Sequence, residues 1–98
     1  MQFSPQAPQN FIQSVSHIEQ QLDAVVDHGS DDELFVASYL QGHFAVLARQ
    51  LEMRADADIT LLDEAMKNSL KQAFAQKELD AEDQDKVAAL WQRLVARA

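Results

Sequence analysis

The chain has 98 residues, 47% of them hydrophobic, a formal net charge of −8 at pH 7 and no Cys. That length makes one domain, large enough to bury a core without staples, and the absence of Cys excludes disulfides, thiolate chemistry and Cys-ligated zinc. The first 48 residues hold six acids and no Lys or Arg, and all eight bases lie from Arg49 onward among ten acids, so neither a nucleic-acid interface nor an anionic-membrane surface, each of which needs clustered bases, is expected.

What such a field attracts is a cation or a protein partner with a basic surface. No stretch approaches the roughly 20 apolar residues of a membrane span. The first ten residues, MQFSPQAPQN, have neither the positive charge nor the apolar run of a secretion signal. The expected location is the cytoplasm.

Residues 1–9, with Pro5 and Pro8 among Gln and Ser, read as a flexible N-terminal arm, and residues 10–98 as a single helical domain. Asn10 is placed to cap a first helix running from Phe11 to His28. Phe11, Val15, Ile18, Leu22 and Val25 alternate spacings of four and three, the stripe of an amphipathic helix in an antiparallel bundle. His17 and His28 lie on its flank three turns apart, too far to share a metal. His28 falls in the last turn, where the helix dipole favours a protonated imidazole. Gly29 is expected to end this helix by taking positive φ.

Ser30 followed by Glu33 is a capping box, and Asp31, Asp32 and Glu33 place negative charge at the positive end of the dipole. The second helix is therefore expected from Asp31 to about Met53. At 100° per residue it carries two apolar arcs. One holds Val36, Leu40, Phe44, Leu47 and Leu51, the other Phe35, Tyr39, Gly42, Val46 and Met53. A helix apolar over most of its circumference is buried at the centre of a fold or shared with a partner. Gly42 costs about 1 kcal/mol against Ala in a helix interior, and close approach of another backbone is the ordinary reason to accept it. His43, between the arcs, reads as an at least half-buried histidine hydrogen-bonded by a neighbour.

The run VVDHGSDDELFVASYLQGH, Val25 to His43, is similar to the signature of the YfcL-like family of small bacterial proteins of undetermined function. The matching positions include Val26, Asp27, His28, Ser30, Asp31, Asp32, Glu33, Leu34, Phe35, Tyr39, Leu40, Gly42 and His43. The resemblance runs from about Phe11 and weakens in the second half. It implies a small soluble helical protein. It transfers no catalytic residue, because the family has none established.

Arg54 to Asp58 is a loop of ordinary length. Asp58 or Thr60 caps a third helix ending near Lys77, with Leu62, Ala65, Met66, Ser69, Leu70, Ala73 and Phe74 on its apolar face. Its small residues Ala65, Ser69 and Ala73 point to close packing. Asp80 with Asp83 starts a fourth helix running to about Ala96, striped by Val87, Leu90, Trp91, Leu94 and Val95. If Trp91 is buried, its indole N–H needs a partner. Two Gly, two Pro and no strand-like alternation leave an all-α fold: a four-helix antiparallel, up-down bundle with the second helix central.

The chemistry on offer is sparse. A di-iron bundle site needs a Glu-x-x-His pair on facing helices, and no histidine has an acid three residues before it. His-Glu-x-x-His and phosphate-cradling glycine loops are absent, as are Ser-x-x-Lys and Gly-x-Ser-x-Gly. No catalytic residue, metal or cofactor is therefore expected. The candidate functional patch is Asp27, His28, Asp31, Asp32, Tyr39 and His43. The candidate self-association face is Phe35, Tyr39, Gly42 and Val46. The expected function is a non-enzymatic protein–protein interaction module, forming a homodimer or binding a basic partner. The alternative is a small metal-binding protein or enzyme using Asp27, His28, Asp31, Asp32 and His43. A second account of the Phe35 arc is a splayed bundle in which the first helix or the N-terminal arm covers it, Phe3 acting as the plug.

Overall fold

The computed structural model describes residues 7–97 as four helices, with no strand among them: α1 (Gln9–His28), α2 (Asp31–Glu52), α3 (Ile59–Ala75) and α4 (Ala81–Ala96). Three of the four starts are fixed by short polar side chains. Ser30 Oγ accepts the Glu33 amide at 3.2 Å while Glu33 Oε1 accepts the Ser30 amide at 3.1 Å, the reciprocal capping box. Asp58 accepts the Leu61 amide at 2.7 Å, and Asp80 the Asp83 amide at 2.9 Å. Such a bond satisfies one of the free N–H groups at the helix start and is worth about 1 kcal/mol.

The first helix starts differently from the sequence expectation. Pro8, at φ −58°, is the N-cap, with no side-chain cap, and its carbonyl accepts the amides of Phe11 and Ile12. Asn10 lies inside the helix and bonds only the neighbouring Phe11 amide. Pro8 itself stays outside the helix, with ψ at 150°, and its carbonyl takes the first helical hydrogen bonds, so the helix begins at Gln9, before Asn10. Ala7 also belongs to the fold, donating its amide to the Glu52 carbonyl at 3.0 Å. The rest of the expected arm, with Phe3, lies outside the described residues.

Gly29 ends α1 for a reason other than positive φ. Its φ is −77°, an extended conformation open to any residue. A Cβ there would stand 2.6 Å from the Val25 carbonyl oxygen, so the position excludes a side chain by contact with backbone. Among the described residues the left-handed non-glycine is Lys77, at φ 60°, beyond the end of α3.

All three other helices pack on α2. Its buried side is Val36, Ala37, Leu40, Phe44, Ala48 and Leu51. Against these lie Phe11, Val15, Ile18 and Leu22 of α1, Leu62, Met66 and Leu70 of α3, and Val87, Leu90, Trp91 and Leu94 of α4. The loops add Ala57 and Leu79. Polar pairs across the helices fall in reversed order, Glu19 with Arg49 and Asp23 with Gln41, then Tyr39 with Glu78 and His43 with Ser69. α1 and α2, and α2 and α3, therefore run in opposite directions. No polar residue is buried in this core, and no buried side-chain N or O lacks a partner among the described residues. Trp91 meets its requirement by donating its indole N–H to Asp63 Oδ1 at 2.8 Å.

Candidate functional site

The two arcs of α2 part company. The first is the core. The second faces out except at Tyr39, which is half-buried against the core on the α3 side: Phe35 is 48%, Met53 47% and Val46 57% exposed. Gly42 lies between them, and a Cβ built on it meets nothing within 4 Å. The close backbone approach expected at Gly42 does not occur within the chain. With Phe35, Tyr39, Gly42, Val46 and Met53 on one side of a helix rising 1.5 Å per residue, the stripe runs about 27 Å.

The candidate patch divides into two places. Asp27 and His28 are exposed in the last turn of α1, and Asp31 and Asp32 in the first turn of α2. There the carboxylate of Asp32 pairs with Lys86 of α4, which also holds Glu82 at 3.3 Å. These hydrogen bonds, Asp32 first, raise the Lys86 pKa above its ordinary value. The bridge therefore contributes below the unfolded lysine pKa and is lost as pH rises through the folded one. Being exposed, it ties α2 to α4 weakly.

Tyr39 and His43 stand further along α2, facing α3. His43 lies twelve residues from Asp31, about 18 Å along the axis, so His28, Asp31 and His43 do not converge. Among the described residues no group of three or more His, Asp or Glu is close enough to hold a metal ion.

What the fold does bring together is Tyr39, His43, Ser69 and Glu78. The half-buried His43 ring places Nδ1 2.9 Å from Ser69 Oγ, and its centroid lies 4.9 Å from that of Tyr39, tilted by 44°. The Tyr39 hydroxyl donates to Glu78 Oε2 at 3.0 Å. Ser69 and Glu78 were not legible as partners. Ser69 reads in sequence as one more small residue of a packing face, and Glu78 as a loop acid.

A serine–histidine contact invites comparison with a hydrolytic dyad, which needs a group orienting the histidine and donors for an oxyanion. Here the contact uses Nδ1, and no carboxylate bonds Nε2 among the described residues. Ser69 sits in the interior of α3, where the neighbouring amides are engaged in helix hydrogen bonds. The arrangement locks α2 to α3.

Burial, and then the Glu78 carboxylate, hold the Tyr39 phenol above its ordinary pKa. The neutral phenol is the form the fold favours, so its contribution is present below the unfolded pKa and lost as pH rises through the folded one. Tyr39 is the one tyrosine of the chain, so tyrosinate absorbance reports it alone. The midpoint is expected above the free value of about 10, returning towards it in Glu78→Gln. A parent midpoint at or below the free value would remove the Glu78 contact from the account.

Fold and surface together define a small all-α bundle protein whose central helix turns an apolar stripe outward. A family pattern described as YfcL protein matches residues 10–96, and the chain belongs to the YfcL family. It is 36% identical over 77 residues to the "Uncharacterized protein YfcL" of Escherichia coli (strain K12), an alignment covering 79% of this chain and 84% of that protein. No solved structure gives a significant match. Among the described residues no helix is long and apolar enough to cross a membrane.

Proposed function

We propose that this protein is a non-enzymatic protein–protein interaction module that pairs with a second copy of itself through the outward stripe of α2. The observation that carries this reading is the exposure of Phe35, Val46 and Met53 along one line, with Gly42 open between them. Contiguous apolar surface of this kind on a folded domain marks an interface. A twofold axis through Gly42 makes the contact self-complementary, and two helices can then cross closely where neither has a side chain. Run antiparallel, the acidic first turn of one α2 lies beside the Met53–Arg54 end of the other.

Light scattering at micromolar concentration is expected to give twice the chain mass. Val46→Glu places a charge in the stripe at a site that contacts little within the chain, and is expected to give a monomer of unchanged helicity. A monomeric parent would refute the pairing.

Gly42→Ala separates the stability of the fold from that of the pair. On the Val46→Glu background the added Cβ enters open space in a helix interior, so urea denaturation should show a gain of about 0.5–1 kcal/mol. In the parent it should weaken association instead, because the helices can no longer approach as closely. Tighter association of Gly42→Ala would contradict a crossing at this residue.

A further inference from the structure

Phe35 and Arg49 stand seven residues either side of Gly42. On a helix turning 100° and rising 1.5 Å per residue, each is about 10 Å along the axis from Gly42 and about 20° around it, on opposite sides. The two residues therefore exchange places under a twofold axis at Gly42 that reverses the helix. Phe35 is 48% exposed. The Arg49 side chain is 61% exposed, and its contacts with Glu19 at 2.8 Å and Glu52 at 3.1 Å are both made by Nη2. A guanidinium held at its edge keeps its flat faces for stacking, and an aromatic ring is the surface those faces fit. No aromatic ring of the same chain covers them among the described residues.

The direction of crossing decides what these groups meet. A parallel pair would set Arg49 on Arg49 of the mate and Asp31, which lies about 20° from Gly42 on the same side as Arg49, on Asp31. Like charges face to face work against such a pair. An antiparallel pair sets each Arg49 on the Phe35 ring of the mate, twice across the axis. Asp31 and Met53, eleven residues either side of Gly42, then meet at the rim, about 16 Å from the axis.

We infer that Arg49 sets the direction of the pair by laying its guanidinium on the Phe35 ring of the mate, so that α2 crosses its copy antiparallel. The inference rests on the pairing proposed above and adds its orientation and the residue that selects it. A stripe without a ring seven residues before its gap and an arginine seven after it makes at most one of the two contacts. The geometry therefore favours a second copy of this chain over other apolar helices.

Two experiments on the full chain test this. Ser38→Cys and Val46→Cys place thiols four residues either side of Gly42, at exposed sites that leave Phe35 and Arg49 in position. When the two variants are mixed and mildly oxidised, the disulfide between them is expected well ahead of either variant linked to itself. A parallel pair would give the reverse. Arg49→Met and Phe35→Leu are each expected to loosen association roughly tenfold, with helicity unchanged by circular dichroism. The double variant should be little weaker than either single one, because both changes remove the same contact. An Arg49 that served only to tie α2 to α1 through Glu19 would give additive losses or none. Self-linked products from the mixture, or additive or absent losses, would overturn the inference and leave the pairing standing. A parent that is monomeric by light scattering would remove the pairing itself, and this contact with it.

Discussion

Trp91→Ala is expected to lose roughly 3–5 kcal/mol of stability, a large part of the 5–15 kcal/mol, or about that, available to a domain. The side chain is 1% exposed, and its ring centroid lies 6.0 Å from that of Phe44, at the meeting of α2 and α4. Truncation leaves a cavity where two helices meet and removes the donor to Asp63. Trp91→Phe isolates the second effect. It keeps most of the apolar volume and leaves Asp63 paired with Lys67 at 3.0 Å, so its cost should be nearer 1–2 kcal/mol. Urea unfolding followed by circular dichroism measures both. A loss under about 1 kcal/mol for Trp91→Ala would place the indole outside the core.

The second large effect is a contrast along one helix. Leu40 is fully buried and Val46 is 57% exposed, six residues apart on α2. Leu40→Ala should cost about 2–5 kcal/mol. Val46→Ala should change stability by no more than about 0.5 kcal/mol, as surface substitutions do. Val46→Ala should nevertheless weaken pairing, because the valine methyls belong to the outward stripe. Thermal or urea unfolding of the two variants at low protein concentration separates these effects. Equal destabilisation would mean that both arcs are internal to one chain.

How far the sequence carried depended on whether a feature was local. The caps at Ser30, Asp58 and Asp80 bond amides three residues on, so spacing alone reveals them. The buried stripe of α1 follows from the 3.6-residue period, and so does the division of α2 into two arcs. Asn10 misled because a polar residue near a helix start reads as its cap, whereas the helix already begins at Gln9 behind Pro8 and Asn10 bonds only the next amide. Gly29 was legible as a stop, but its cause is a contact with the Val25 carbonyl, which depends on the path of the chain. Gly42 showed only that something other than helix propensity had set the residue. His43 with Ser69, Tyr39 with Glu78 and Lys86 with Asp32 join residues 26, 39 and 54 positions apart. Those pairs depend on the rotation of each helix about its axis, which hydrophobic period fixes only to within a face. The light contact between α1 and α4 is less legible still, since both helices lean mainly on α2.

The pairing of α2 with its mate is tested most directly by a cysteine at the proposed axis. The chain has no Cys of its own, and Gly42→Cys adds a side chain into open space within the monomer. A disulfide forms only where Cα atoms come within about 4.4–6.8 Å, so residue 42 can bridge to its mate only if the helices cross there. Under mild oxidation at micromolar concentration, Gly42→Cys is predicted to give a covalent dimer well ahead of Gln50→Cys, which lies two turns away on the same helix. Equal slow cross-linking at both positions, or none at Gly42→Cys, would contradict the account.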